Sequence, residues 1–153
     1  MLNIVLIGCG GMGNAHRQAL HLLKDRARVV AVIDRDLDRA RKVAETLGCD
    51  RTACDYHEVM ETTDAAIVAV PHHLHHPIGM DLLRAGKHVL MEKPMANTEA
   101  QCLDLIHEAE KREATFMVAY CMRFHPVVVQ MEQLIKRQSY GDVFQLSIWT
   151  EQH

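Results

Sequence analysis

The chain has 153 residues, 48% hydrophobic and 24% charged, with a formal net charge of −3 when its 11 histidines are counted as neutral. That length fits one domain with a substantial core, and the slight acidity argues against a nucleic-acid partner or an anionic membrane surface. No apolar run is long enough to span a bilayer, and the first apolar run lacks the basic leader of an export signal. The 5 cysteines (Cys9, Cys49, Cys54, Cys102 and Cys121) contain no C-x-x-C pair. They read as reduced thiols of a cytoplasmic protein rather than as a disulfide framework or a zinc site.

In chain order, Ile4-Val5-Leu6-Ile7 reads as a buried strand and runs directly into Gly8-Cys9-Gly10-Gly11-Met12-Gly13, with glycines at G-x-G-x-x-G spacing. In that spacing the first glycine permits a tight turn, and the second lets backbone approach a pyrophosphate. The third lets the following helix pack close to the strand. The free N–H groups at the helix start face the phosphates, aided by the helix dipole. Met12 to Leu23 reads as that helix, with Ala15, Ala19, Leu20 and Leu23 expected on one stripe. A second strand, Val29 to Ile33, ends at Asp34. An acidic side chain about 20 residues beyond the last glycine accepts hydrogen bonds from the ribose hydroxyls of NAD. The strand, glycine turn, helix and acid together predict a dinucleotide site.

Asp36 to Leu47 reads as a helix whose charges face water, stopped by Gly48. A weak strand at Arg51 to Ala53 and a short helix at His57 to Glu61 follow. Ala65 to Val70 is a continuous apolar run, the pattern of a strand buried on both faces of a parallel sheet. Val70-Pro71-His72-His73-Leu74-His75-His76-Pro77 reads as a loop leaving it, and Pro77 to Ala85 as a helix closed by Gly86. His88 to Met91 reads as a strand carrying Glu92-Lys93-Pro94 at its carboxyl end, where ligands of open α/β sheets bind. A partly desolvated lysine there, beside a carboxylate, can hydrogen-bond a substrate hydroxyl and help move its proton. Thr98-Glu99-Ala100-Gln101 has capping-box spacing and opens a helix to about Arg112, and Thr115 to Ala119 reads as a last strand. The alternation predicts a doubly wound parallel α/β sheet.

The glycine loop, Asp34, the Pro71-to-His75 loop, Gly86-Lys87-His88-Val89, Glu92-Lys93-Pro94 and Tyr120 to Pro126 resemble, in order and spacing, the Gfo/Idh/MocA oxidoreductases. The resemblance implies an N-terminal Rossmann domain and an open-faced sheet domain beyond it. It also implies NAD(P)-dependent oxidation or reduction of sugars, inositols and related polyols. It makes Lys93 the catalytic lysine beside the nicotinamide, with Pro94 fixing the backbone, often through a cis peptide bond. Gly8, Cys9, Gly10, Gly11, Met12, Gly13, Asp34, Arg35, Val70, Pro71, His72, His75, Glu92 and Arg123 would border the cofactor or the crossing toward the substrate domain. Cys9 is expected to contribute through its backbone.

Members of that family usually run more than twice this length. Residues 1–122 correspond to the nucleotide domain and residues 123–153 to a crossover helix and a first strand, Val143 to Thr150, of a truncated second domain. The expected state is a fragment, a truncated gene product or half of an assembly, homo-oligomeric or completed by a second polypeptide. A sugar-like substrate enters only once the second domain is supplied. Asp34 favours NAD over NADP, whose 2′-phosphate it would repel, although Arg35 could clamp that phosphate. The cluster His72, His73, His75 and His76 raises the question of a metal, but nothing fixes a tetrahedral set and no metal site is expected. The rival expectation is a non-catalytic dinucleotide-binding or regulatory module.

Overall fold

The computed structural model describes residues 1–138, 140–147 and 149 and divides into two compact units, Met1–Ala119 and Tyr120–His153. The first unit alternates strands and helices: β1 (Leu2–Ile7), α1 (Gly11–Leu22), β2 (Ala27–Ile33), α2 (Leu37–Leu47) and β3 (Thr52–Ala53). A 3₁₀ segment over Tyr56–Thr62 leads to β4 (Ala65–Val68), and a short 3₁₀ turn over His72–Leu74 leads to α3 (His75–Arg84). Then come β5 (His88–Met91), α4 (Glu99–Lys111) and β6 (Phe116–Val118). The six strands are parallel and lie in the order β3-β2-β1-β4-β5-β6. The chain winds outward from β1 to β3, returns to the centre and winds outward the other way from β4. The carboxyl ends of β1 and β4 therefore flank a topological switch point.

Alternating side chains of the strands feed two cores. Leu6, Val32 and Ile67 pack with Leu20 of α1 and Ala40, Val43 and Ala44 of α2. Val5, Ile7, Ala31, Ile33, Val68 and Met91 face the other way, onto Ile78, Leu82 and Leu83 of α3 and Leu105 of α4. Both faces of the central strands are thus buried, which is why β1, β2 and β4 read as continuous apolar runs.

The helix boundaries follow from capping chemistry. Asp36 lies just outside α2 and accepts from the Arg39 N–H at 3.1 Å, and Gly48 closes the helix with φ +63°. Thr98 caps α4 by accepting from the Gln101 N–H at 3.3 Å, but the reciprocal bond of the box is displaced: Gln101 Oε1 accepts from Asn97 at 3.1 Å. α3 starts at His75, two residues before the expected Pro77. A proline in the first turn is no obstacle, because N–H groups there have no intrahelical partner. The expected α1 stripe needs correction. Of Ala15, Ala19, Leu20 and Leu23 only Leu20 is buried, and the inward face runs through Gly13, His16, Arg17 and Leu20. His16 and Arg17 turn inward and leave the two alanines in solvent, so the buried face of this helix does not follow its apolar residues.

The second unit contains a 3₁₀ turn over Cys121–Phe124 and α5 (Pro126–Lys136). His125 caps α5, its Nδ1 accepting from the Val127 N–H at 3.3 Å. Of the strand expected at Val143 to Thr150, Ile148 and Thr150 lie outside the described residues, and the described ones, 143–147 and 149, join no β-ladder. Strand geometry is held by pairing, and a lone apolar segment has no partner to pair with. Phe144 and Trp149 are almost fully exposed. Among the described residues no helix is long and apolar enough to cross a membrane.

Candidate functional site

The carboxyl ends of β1, β2, β4 and β5 border a groove of about 440 Å³. Its floor and walls include Gly8, Gly10, Gly11 and Met12 after β1, Asp34 and Arg35 after β2, Val70, Pro71 and His72 after β4, and Glu92 and Lys93 after β5. Cys9, Gly13, His75 and Pro94 do not line it, and Arg123 belongs to the second unit.

The glycine turn is built by two close approaches. Gly8 has φ +97°, and a Cβ there would lie 2.3 Å from the Ala69 carbonyl oxygen, so the turn grazes the chain leaving β4. A Cβ on Gly13 would lie 2.0 Å from the Gly8 carbonyl oxygen, so only glycine lets α1 start this close to β1. At Gly10 and Gly11 the corresponding positions are open space. Among the described residues no side chain caps the start of α1, and no acidic residue occupies its first turn. Its leading N–H groups are left for an anion. The Asn14 amide donates to the carbonyls of Cys9 at 3.3 Å and Gly10 at 3.1 Å, occupying acceptors of the loop. Sequence reasoning missed Asn14, although an amide four residues into a glycine-loop helix is a readable signal.

Asp34 is held by backbone. Its Oδ2 accepts from the Cys9 N–H at 2.8 Å and its Oδ1 from the Asp36 N–H at 2.9 Å. An ionised carboxylate has about four acceptor sites, so room remains for hydroxyl donors. The Cys9 N–H is therefore spent on Asp34, and the expectation that Cys9 meets a cofactor through its backbone is revised: Cys9 is fully buried and links the loop to Asp34. Its thiol is pushed up to about 12, first by burial and then by the charge of Asp34, so it is no nucleophile. Arg39 lines the groove with Nη1 4.0 Å from Asp34 Oδ2 and Nη2 3.5 Å from Asp36. The charges of α2 are thus not wholly a solvated face, as had been expected. Tyr56 also lines the groove. Its hydroxyl donates to Asp81 Oδ2 at 2.8 Å, and burial followed by that contact pushes the phenol above its ordinary range.

At the other end, Glu92 is buried, its Oε1 2.8 Å from His16 Nε2 on α1 and its Oε2 accepting from the Lys93 N–H at 3.1 Å. Lys93 itself is exposed. The expected partly desolvated lysine paired with its carboxylate is corrected accordingly: His16 holds Glu92, and Lys93 engages it only through backbone. His75 is fully buried, with Nδ1 2.7 Å from the Pro94 carbonyl and Nε2 3.0 Å from the Val70 carbonyl. Both partners are acceptors, so a neutral ring donates to one at a time and only the imidazolium to both. The Lys93–Pro94 peptide is cis. His76 instead turns to Asp104 at 3.2 Å, and among the described residues no group of three His, Cys, Asp or Glu side chains gathers to hold a metal.

A sequence profile of an oxidoreductase family with an NAD-binding Rossmann fold matches residues 2–120. Inositol 2-dehydrogenase 1 of Saccharopolyspora erythraea is 36% identical over 145 residues, covering 92% of this chain and 43% of that protein. Among solved structures, an NAD binding oxidoreductase from Klebsiella pneumoniae gives a TM-score of 0.83 at 33% identity, covering 92% of this chain and 40% of that one. A levoglucosan dehydrogenase in complex with NADH and L-sorbose gives 0.86 at 25% identity, covering 92% and 40%. The chain thus spans about two fifths of the length of the relatives it matches. By its glycine turn, its 3-2-1-4-5-6 sheet and this match along most of its length, the chain belongs to the Gfo/Idh/MocA family of oxidoreductases.

Proposed function

We propose that this chain is the dinucleotide-binding part of an NAD-dependent dehydrogenase acting on a sugar-like alcohol or its ketone. The observation that carries the reading is one groove bordered by the uncapped start of α1, the Asp34 carboxylate and Lys93 at the switch point of the sheet. The residues fit the cofactor. Open space over Gly10 and Gly11 admits a pyrophosphate to the first N–H groups of α1, and the free acceptor sites of Asp34 suit the two ribose hydroxyls. Val70, Pro71 and His72 form the wall toward the nicotinamide. The bound cofactor supplies hydride chemistry. Lys93 holds the substrate oxygen by hydrogen bond and assists its proton, while His75 fixes the segments on either side of it. Support for the substrate class comes from relatives that are inositol and levoglucosan dehydrogenases.

Residues 123–153 are read as the approach to the substrate-binding part, with Arg123 on the crossing segment. The exposed apolar side chains Phe124, Val127, Phe144 and Leu146 support that reading. The five free thiols support a reducing, cytoplasmic compartment.

The test is a fluorescence titration of the chain with NADH and NADPH. NADH is expected to bind the tighter. Asp34→Ser is expected to move the NADH-to-NADPH affinity ratio at least about tenfold toward NADPH, since it removes the charge facing a 2′-phosphate. An unchanged ratio would remove Asp34 from cofactor selection, and no binding of either nucleotide by the folded chain would overturn the reading.

A further inference from the structure

Glu92 is a buried carboxylate in the wall of a groove that needs no negative charge for phosphate binding. It follows β5, whereas Asp34 follows β2, and the intervening strands are β1 and β4. At about 4.8 Å per strand, the two carboxylates stand roughly 14 Å apart along the sheet edge. With the adenosine ribose at Asp34 and the pyrophosphate at the turn after β1, the second nucleoside runs toward β4 and β5. Glu92 therefore lies at the nicotinamide end. The oxidised ring carries a positive charge and the reduced ring is neutral.

Resting on the cofactor reading above, we propose that Glu92, held by His16, sets the redox preference of the site by favouring the oxidised over the reduced nicotinamide. The carboxylate is anchored from both sides, by His16 Nε2 at 2.8 Å and the Lys93 N–H at 3.1 Å, so its charge is fixed in place before any ligand arrives. It is only 4% exposed and acts through a medium of low dielectric, whereas the opposing Lys93 ammonium is exposed and screened by water and salt. The bound couple is thereby made more reducing, and the reduced cofactor is released more readily relative to the oxidised one. His16 is a positioning residue in this scheme: it carries α1, and with it the phosphate-binding turn, into contact with the nicotinamide end.

The experiment measures the dissociation constants of NAD⁺, NADH and ADP-ribose on the 153-residue chain and on Glu92→Gln, at a pH well above the ordinary imidazole value of about 6.5. ADP-ribose lacks the nicotinamide and reports on the rest of the groove. The expected result is that Glu92→Gln weakens NAD⁺ relative to NADH by about fivefold to tenfold, the size of one partly shielded charge pair, with ADP-ribose unchanged. If Gln at this position does not fold, Glu92→Met replaces the buried charge by an apolar side chain of similar volume and carries the same expectation for the NAD⁺-to-NADH ratio, with ADP-ribose reporting any loosening of α1. Equal weakening of all three ligands, or an NAD⁺-to-NADH ratio constant within twofold, would overturn the proposal and leave Glu92 a structural role. Failure of the parent chain to bind any of the three would instead overturn the cofactor reading beneath it.

Discussion

At the scale of single residues, the side chains that organise the site are mostly those that bind other protein groups. His75 sits between the Val70 and Pro94 carbonyls and so joins the segment after β4 to the segment carrying Lys93. Replacing it with Leu preserves apolar bulk but leaves carbonyls without a donor in a part-buried setting, which costs about 1–3 kcal/mol for each unsatisfied group. His75→Leu is therefore expected to destabilise the fold by about 2 kcal/mol, read as a lower urea midpoint with an unchanged slope. A shift worth less than about 0.5 kcal/mol would mean that water replaces the ring. The candidate site residues were legible as candidates because their types are tied to their spacing: glycines at 8, 10 and 13, an acid at 34, and Glu-Lys-Pro after a strand. Their partners were not. Nothing in sequence pairs His16 with Glu92 across 76 positions, or the Cys9 N–H with Asp34, because such contacts are made by tertiary closure.

At the scale of elements, the strands were the easiest to read and the helix faces the hardest. β4 and β5 are short apolar runs ended by glycine, proline or charge, and their identity follows from composition alone. α1 shows why helices differ. Its inward face includes a histidine, which meets the Glu92 carboxylate, and an arginine, and neither belongs to an apolar stripe. The decisive constraint on α1 is Gly13, where any side chain would meet the Gly8 carbonyl. Backbone cannot swing away as a flexible side chain can. Gly13→Ala is expected to push α1 from β1, lower the melting temperature by several degrees and weaken NADH binding at least about tenfold, checked by calorimetry and by titration. Normal melting and normal affinity together would show that the helix slides to make room.

At the scale of the molecule, the first unit contains the six strands and the two buried cores found among the described residues. Among the described residues, those that line the groove lie within Met1–Ala119. A chain cut to residues 1–119 is therefore expected to melt cooperatively and to bind NADH within about threefold of the 153-residue chain. Loss of binding in a folded 1–119 chain would make residues 120–153 part of the nucleotide site. The doubly wound order was legible because βα alternation with right-handed crossovers leaves few other arrangements. The expected strand at Val143 to Thr150 is a different matter. Its apolar alternation is present, but a strand needs a neighbour, and sequence pattern alone does not provide one.

The bond from the Cys9 N–H to Asp34 has a consequence for how such a site could change its cofactor over evolutionary time. On the proposed cofactor reading, one carboxylate both meets the ribose and ties down the turn offered to the phosphates. A substitution that admits a 2′-phosphate by deleting the acceptor, such as Asp34→Ala, also unties the turn, so that change of preference comes with weaker binding of every nucleotide. A lineage moving toward NADP would keep the turn tied only through a neutral acceptor at this position, such as Asn or Ser, and would otherwise pass through a poorer binder. Selectivity at this position is protected less by its own chemistry than by what else depends on it.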